Sequence, residues 1–67
     1  MFKVGDRVKI ESKFHGMYNG LNGTVIENTK DKWYVRVRFD VPLIKEGYDR
    51  KIEEEIFYPS ELNLVTQ

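Results

Sequence analysis

Apolar and polar side chains alternate along residues 32–40, Lys-Trp-Tyr-Val-Arg-Val-Arg-Phe-Asp. Trp33, Val35, Val37 and Phe39 form one row, and polar or amphipathic residues lie between them. A period of two places the two rows on opposite faces of a β-strand. The pattern therefore predicts the central strand of a small sheet, with Trp33 and the two valines facing the core.

Shorter alternating stretches occur on both sides of this strand. Gly and Asn interrupt residues 12–22, which predicts a long loop rather than a helix. Pro42 and Gly47 predict that the insertion 41–51 interrupts the sheet. The proline of Pro59-Ser60-Glu61-Leu62 suits the start of a single helical turn. The four remaining strands are predicted at residues 7–11, 23–27, 52–58 and 63–65.

Together these elements predict an all-β fold, a small five-stranded barrel with a short helical turn before the last strand. In the fourth strand, Ile52, Ile56 and Tyr58 share one parity and are expected to face the core. Pairing Val37 with Ile56 would set Arg38 opposite a glutamate, Glu55, as an ordinary cross-strand charge pair.

Length and charge narrow the picture further. The 67 residues are expected to form one domain, 1–67, too small for a large active-site cleft. There is no cysteine, so thiolate chemistry is excluded. Eleven basic and eleven acidic residues cancel, which disfavours nucleic acid as a partner. Without an apolar run near the roughly 20 residues of a membrane span, a cytoplasmic protein is expected.

Several short motifs resemble those of the SH3-like small barrels. They are Gly-Asp-Arg-Val-Lys-Ile at 5–10, Gly-Thr-Val at 23–25, Val-Arg-Val-Arg-Phe-Asp at 35–40 and Ser-Glu-Leu-Asn-Leu-Val at 60–65. Within that group the chain is similar to the accessory barrels of photosystem I and ferredoxin-thioredoxin reductase. The Gly20-x-x-Gly23-x-Val25 segment is also similar to KOW domains. These resemblances imply an accessory subunit or, alternatively, a module that contacts RNA, the ribosome or a transcription complex.

A nucleic-acid surface is one candidate site, because aromatic rings stack on bases while cations contact phosphates. Its residues would be Tyr34, Arg36, Arg38, Arg7, Lys9 and Lys13. The competing interpretation, which the strand pairing favours, is that the arginines form ordinary cross-strand charge pairs with glutamates.

A protein-binding surface is the second candidate. Phe14, Tyr18 and Tyr48 lie outside the predicted strands, and exposed aromatic residues often anchor interfaces. The competing interpretation is that Phe14 and Met17 fold back and cover one open end of the barrel. Addition of a partner strand to an open sheet edge is another mode available to such a fold.

The sequence provides little support for catalysis. His15 is the only histidine, and a single histidine is more often a loop residue than a metal ligand or base. Adjacent residues of Glu53-Glu54-Glu55 point to opposite faces of a strand, so the run does not converge on a cation. We therefore expect a non-enzymatic binding module without a cofactor or metal, and with a protein partner.

Overall fold

The computed structural model describes residues 2–14, 16–44, 47 and 51–65. These residues form an antiparallel sheet of five strands and contain helical structure only as two 3-10 turns, at Gly16–Tyr18 and Pro59–Glu61. The all-β prediction is confirmed at this level. The strands are β1 (Arg7–Ile10), β2 (Asn22–Glu27), β3 (Val35–Ile44), β4 (Lys51–Phe57) and β5 (Leu62–Leu64).

The sheet has the order β4-β3-β2-β1-β5, so β3, β2 and β1 lie inside it while β4 and β5 are its edges. The second 3-10 turn directly precedes the last strand, as the sequence predicts. Its Pro59 lies at the start of the turn, where the missing amide hydrogen costs no hydrogen bond. This turn brings the end of β4 back so that β5 can pair with β1.

The core lies against one face of the sheet, where alternate residues of the strands converge. Val8, Ile10, Val25, Val35 and Val37 are fully buried. Their period of two confirms the apolar rows predicted for β1 and for most of β3.

Two glycines meet different backbone requirements of β2 and the loop before it. Gly20 has a φ of 87°, a left-handed conformation that side chains with a Cβ disfavour. Gly23 has no such φ, but a Cβ there would lie 2.5 Å from the carbonyl oxygen of Arg38 on β3. The Gly20-x-x-Gly23 spacing therefore serves chain geometry at both positions.

The predicted register of β4 is wrong by one residue. Val37 lies opposite Glu55, and Val35 lies opposite Phe57. Directly opposite residues share a face, so this register buries Phe57 and leaves Tyr58 exposed. Burial of the large Phe57 ring removes apolar surface from water and so favours this register.

The insertion 41–51 also departs from its prediction. The ladder between β3 and β4 is irregular between Arg38 and Leu43, yet β3 continues to Ile44 and Leu43 pairs with Ile52. The sheet therefore resumes beyond Pro42 instead of ending there. Of the predicted interruption, residues 45, 46 and 48–50 lie outside the described residues.

Candidate functional site

Three aromatic side chains meet at the surface where β3 begins and β4 ends. This aromatic cluster consists of Trp33, Tyr34 and Tyr58. The ring centroid of Trp33 lies 5.2 Å from that of Tyr34 and 4.9 Å from that of Tyr58, distances at which aromatic pairs attract. Trp33 is 58% exposed and Tyr58 is 50% exposed. The cluster therefore presents a broad apolar surface to solvent.

The link between β2 and β3 places Trp33 at the surface. The amide of Lys32 donates to the carbonyl of Thr29 over 3.1 Å and closes a turn, and β3 starts only at Val35. The prediction that Trp33 faces the core is therefore wrong. Because the chain bends before the strand begins, the indole ring leaves the core row and packs against Tyr58 at the surface.

Tyr58 is held by its backbone rather than by burial of its ring. It adopts an extended conformation (φ −68°, ψ 145°), and its amide donates to a carboxylate oxygen of Glu61 over 2.8 Å. Glu61 is buried, and the hydroxyl of Ser12 donates to its other carboxylate oxygen. A buried carboxylate is tolerated when its oxygens accept hydrogen bonds. Glu61 therefore joins the second turn, Tyr58 and the first loop.

One cleft lies on the β4 side of the aromatic cluster and has a volume of about 350 Å³. Besides Trp33 and Tyr58, it is lined by Glu55, Ile56 and Glu61. Both acidic groups already accept hydrogen bonds within the protein: Glu61 from Tyr58 and Ser12, and Glu55 from the amide of Ile56 over 3.0 Å. The carboxylates of this cleft are thus part of the fold's own hydrogen-bond network.

A second cleft, of about 640 Å³, lies on the side of the β2–β3 link. Phe2 and Pro59 contribute apolar surface to it. The side-chain amide of Asn28 donates to the carbonyl of Phe2 over 2.6 Å, which fixes the N-terminal segment against this link. Its lining residues are Phe2, Asn28, Thr29, Lys30, Lys32 and Pro59. We call it the lysine cleft.

The three arginines predicted to contact nucleic acid all form ion pairs. Arg7 pairs with Asp40 across the sheet and donates to the hydroxyl of Thr24 over 2.8 Å. The hydrogen bond with Asp40 raises the pKa of Arg7, and the same bond lowers the pKa of Asp40. Both side chains are 40% exposed, so salt will screen this pair in part.

Arg36 and Arg38 are paired in a similar way on β3. Nε of Arg36 lies 3.0 Å from Oε1 of Glu27, and this hydrogen bond is the main cause of its raised pKa. Arg38 lies opposite Glu54, with their side chains 3.3 Å apart. The expected cross-strand charge pair is therefore present, but with Glu54 instead of Glu55. Charges of both signs alternate on this face.

The other predicted nucleic-acid residues are dispersed. Tyr34 belongs to the aromatic cluster, where Nζ of Lys32 and Cζ of Arg36 each lie 5.8 Å from its ring centroid. Lys9 and Lys13 are exposed and line a different cleft, beside β1 and the first loop. By strand register Lys9 shares a face of the sheet with the three arginines, but the acidic partners of those arginines lie among them, so this face carries mixed charge.

The three predicted contact aromatics have different outcomes. Phe14 is 82% exposed, so it is available to a partner. Tyr48 lies outside the described residues. Tyr18 is only 6% exposed, so the expectation that it displays its ring at the surface is wrong.

Tyr18 is buried because the first 3-10 turn directs its ring onto the core. The ring stacks on Phe39 at 5.5 Å and meets Phe57 edge-on at 5.6 Å. Its hydroxyl donates to Glu55 over 3.1 Å, which satisfies the polar end of the side chain. Burial raises the pKa of Tyr18, and the neighbouring Glu55 raises it further.

Sequence reasoning missed Trp33 and Tyr58 as surface residues because both continue a strand-like alternation. One signal was present for each. Trp33 comes directly after the turn-forming Asp31-Lys32 pair, and Tyr58 directly precedes Pro59. A residue before proline is restricted to extended conformations, which favours the end of a strand over its interior.

The described residues show neither a metal site nor a membrane-spanning helix. That part of the chain contains no group of three or more His, Cys, Asp or Glu side chains placed to hold a metal ion, and His15 lies outside it. Within the same residues, no helix has the length and apolar character needed to cross a membrane.

Comparison with known proteins adds no assignment. No protein-family model matches the chain, and no curated protein or solved structure is significantly similar to it. The resemblance to SH3-like barrels therefore stays a prediction, and the function must be argued from the aromatic cluster and its surroundings.

Proposed function

We propose that this chain is a non-enzymatic, cytoplasmic binding module of the SH3-like barrel type, which docks a protein partner on its aromatic cluster as an accessory part of a larger assembly. Five short antiparallel strands and a 3-10 turn directly before the last strand support this fold type. The module acts by presenting a preformed surface, so the argument depends on what that surface displays.

The main support is the side-by-side exposure of Trp33 and Tyr58. Tryptophan and tyrosine are enriched among the residues that dominate protein interfaces, since each buries a large apolar area with few rotatable bonds. Leaving both rings in water is unfavourable for the isolated domain. A partner that covers them would recover this free energy without first having to order Tyr58, whose backbone is already fixed by Glu61.

An RNA or ribosome contact of the KOW type is the alternative, and it has weaker support. Binding to nucleic acid depends on cationic side chains that displace counterions from the phosphates. Arg7, Arg36 and Arg38 are already paired with acidic side chains of the protein. A face of mixed charge beside an apolar patch favours a protein partner.

Trp33 makes the proposal directly testable, because it is the only tryptophan and its fluorescence reports on the aromatic cluster. A phage library of random twelve-residue peptides would be selected on the folded chain, and synthetic versions of the enriched peptides titrated by fluorescence. We expect micromolar binding with a blue shift of Trp33 emission as the indole leaves water. Calorimetry would then compare wild type with Trp33→Ala and Tyr58→Ala, each expected to weaken binding at least tenfold.

Val41→Ala is the matched control, since Val41 is an exposed apolar residue of β3 located beyond the core segment of that strand. It should bind the peptides as wild type does. The proposal fails if the enriched peptides bind Trp33→Ala and wild type equally, or if selection yields no peptide that shifts Trp33 emission. Binding of a mixed single-stranded RNA at low salt, abolished by Arg36→Gln and Arg38→Gln, would support the alternative instead.

A further inference from the structure

Like Lys9 and Lys13, but unlike the three arginines of the sheet, the cations of the lysine cleft belong to no ion pair of the described residues. The ion pairs of the described residues occupy Arg7, Arg36 and Arg38 but include neither Lys30 nor Lys32. The contact that the structure gives Lys32 is with the Tyr34 ring, at 5.8 Å. Two ammonium groups without a described acidic partner therefore border a single cleft.

The same cleft also offers apolar surface. Phe2 and Pro59 both line the cleft. Phe2 is half-buried and packs against the core, and Pro59 directly follows Tyr58. The aliphatic stems of the two lysines add to this surface while their charged ends stay in water. An apolar wall with cations at its rim is complementary to a group that carries apolar atoms and a negative charge together.

The cleft on the β4 side of the aromatic cluster has no charged group without a partner in the protein, among the residues that line it. Its carboxylates, Glu55 and Glu61, accept hydrogen bonds from groups of the protein itself. Unpaired charge thus lies on the lysine side of the Trp33–Tyr58 pair alone, among the residues that line the two clefts.

We propose that the partner segment docked on the aromatic cluster carries an acidic residue next to an apolar one, and that this pair occupies the lysine cleft. The apolar side chain lies against Phe2 and Pro59, and the carboxylate lies at the rim beside Lys30 and Lys32. This inference rests on the proposed function, because the same segment must also cover Trp33 and Tyr58. It adds the chemical class of the partner, an acidic and apolar peptide segment.

The size of the expected effect follows from the exposure of the lysines. Both are exposed, so each ion pair with a partner carboxylate is worth little and is screened by salt. Loss of both lysines should weaken binding roughly three- to tenfold at low salt, and less at high salt. A larger loss would be expected only for the aromatic cluster itself.

The test compares two double variants with the same loss of charge. Lys30→Gln/Lys32→Gln removes the cations of the lysine cleft, whereas Lys9→Gln/Lys13→Gln removes two exposed lysines beside β1. The probes are the synthetic twelve-residue peptides enriched on wild type, each made a second time with Asp and Glu replaced by Asn and Gln. Trp33 fluorescence gives the affinity of every protein and peptide pair at 20 mM and 300 mM salt, concentrations on the order of those that separate screened from unscreened pairs.

We expect the enriched peptides to contain Asp or Glu beside an apolar residue. The amide peptides should bind wild type more weakly than the acidic peptides do. The lysine-cleft variant should bind both peptide forms with equal affinity. The control variant should bind each form as wild type does. Equal affinity of acidic and amide peptides for wild type overturns the inference, as does an equal effect of both double variants. If such peptides still require Trp33, the proposed function survives; if no peptide requires Trp33, both fail.

Discussion

Substitution of Tyr18 tests the packing of the first loop, because alanine and phenylalanine remove different parts of the side chain. Tyr18→Ala removes a ring that is 6% exposed and that contacts both Phe39 and Phe57. Deletion of a buried aromatic ring costs about 3 to 5 kcal/mol. A domain of this length has a total stability of roughly 3 to 10 kcal/mol. Tyr18→Ala is therefore expected to leave a marginally folded protein.

Tyr18→Phe keeps the ring and removes only the hydroxyl that donates to Glu55 over 3.1 Å. A hydrogen bond to a carboxylate contributes about 1.5 to 3 kcal/mol. Glu55 is partly exposed, so water can replace the lost donor, and the cost should fall at the lower end of that range. The two substitutions together separate the contribution of the ring from that of the hydroxyl.

The raised pKa of Tyr18 adds a pH dependence with a defined sign. The folded state holds the phenol proton more tightly than the unfolded state, in which the pKa is about 10. The resulting stabilisation is complete below that unfolded value and is lost as pH rises through the folded pKa. Phenylalanine cannot ionise, so wild type should lose more stability than Tyr18→Phe between neutral pH and about pH 11.

Urea unfolding followed by circular dichroism measures all three proteins, at neutral pH and at high pH. Phe14→Ala is the control, because Phe14 belongs to the same loop but is 82% exposed and should change stability by less than about 0.5 kcal/mol. If Tyr18→Ala lowered the free energy of unfolding no more than Phe14→Ala does, Tyr18 would not be part of the core, and its role in the fold would have to be abandoned.

Two further substitutions test the sheet. Gly23→Ala places a Cβ against the facing backbone and should lower the free energy of unfolding in urea by about 1 to 3 kcal/mol. Gly16→Ala is the control, because Gly16 has open space around it. Equal effects of the two substitutions would contradict the close approach of the backbone at Gly23. Asp40→Asn removes the acidic partner of Arg7. The difference in stability between this variant and wild type should be present above pH 4, which is about the unfolded pKa of aspartate. It should disappear as pH falls through the lowered folded pKa of Asp40. A difference that stayed unchanged from neutral pH down to pH 2, about two units below the unfolded value, or that ignored added salt would show that the ion pair is not its source.

Local pattern was sufficient for much of the fold. The alternation in β1 and β3, the turn between β2 and β3 and the proline-led turn before β5 all depend on residues close together in the chain. β1 and the proline-led turn were predicted to within one residue of their observed bounds, whereas β3 starts at Val35 and ends at Ile44 instead of spanning the predicted 32–40. The charge pairing of Arg38 also followed, because a shift of β4 by one residue in either direction still places one of three successive glutamates opposite it.

The candidate site was not predictable in this way, because it depends on which rings the core accepts. By sequence alone Trp33, Tyr18, Phe57 and Tyr58 are all large aromatic side chains at or near the ends of elements. Tertiary packing buries Tyr18 and Phe57 together and leaves Trp33 and Tyr58 outside. A core this small has room for a limited number of rings, and a shift of one residue in strand register exchanges inside for outside. The sequence determined most of where strands form; the packing of distant residues determined which aromatic rings face solvent.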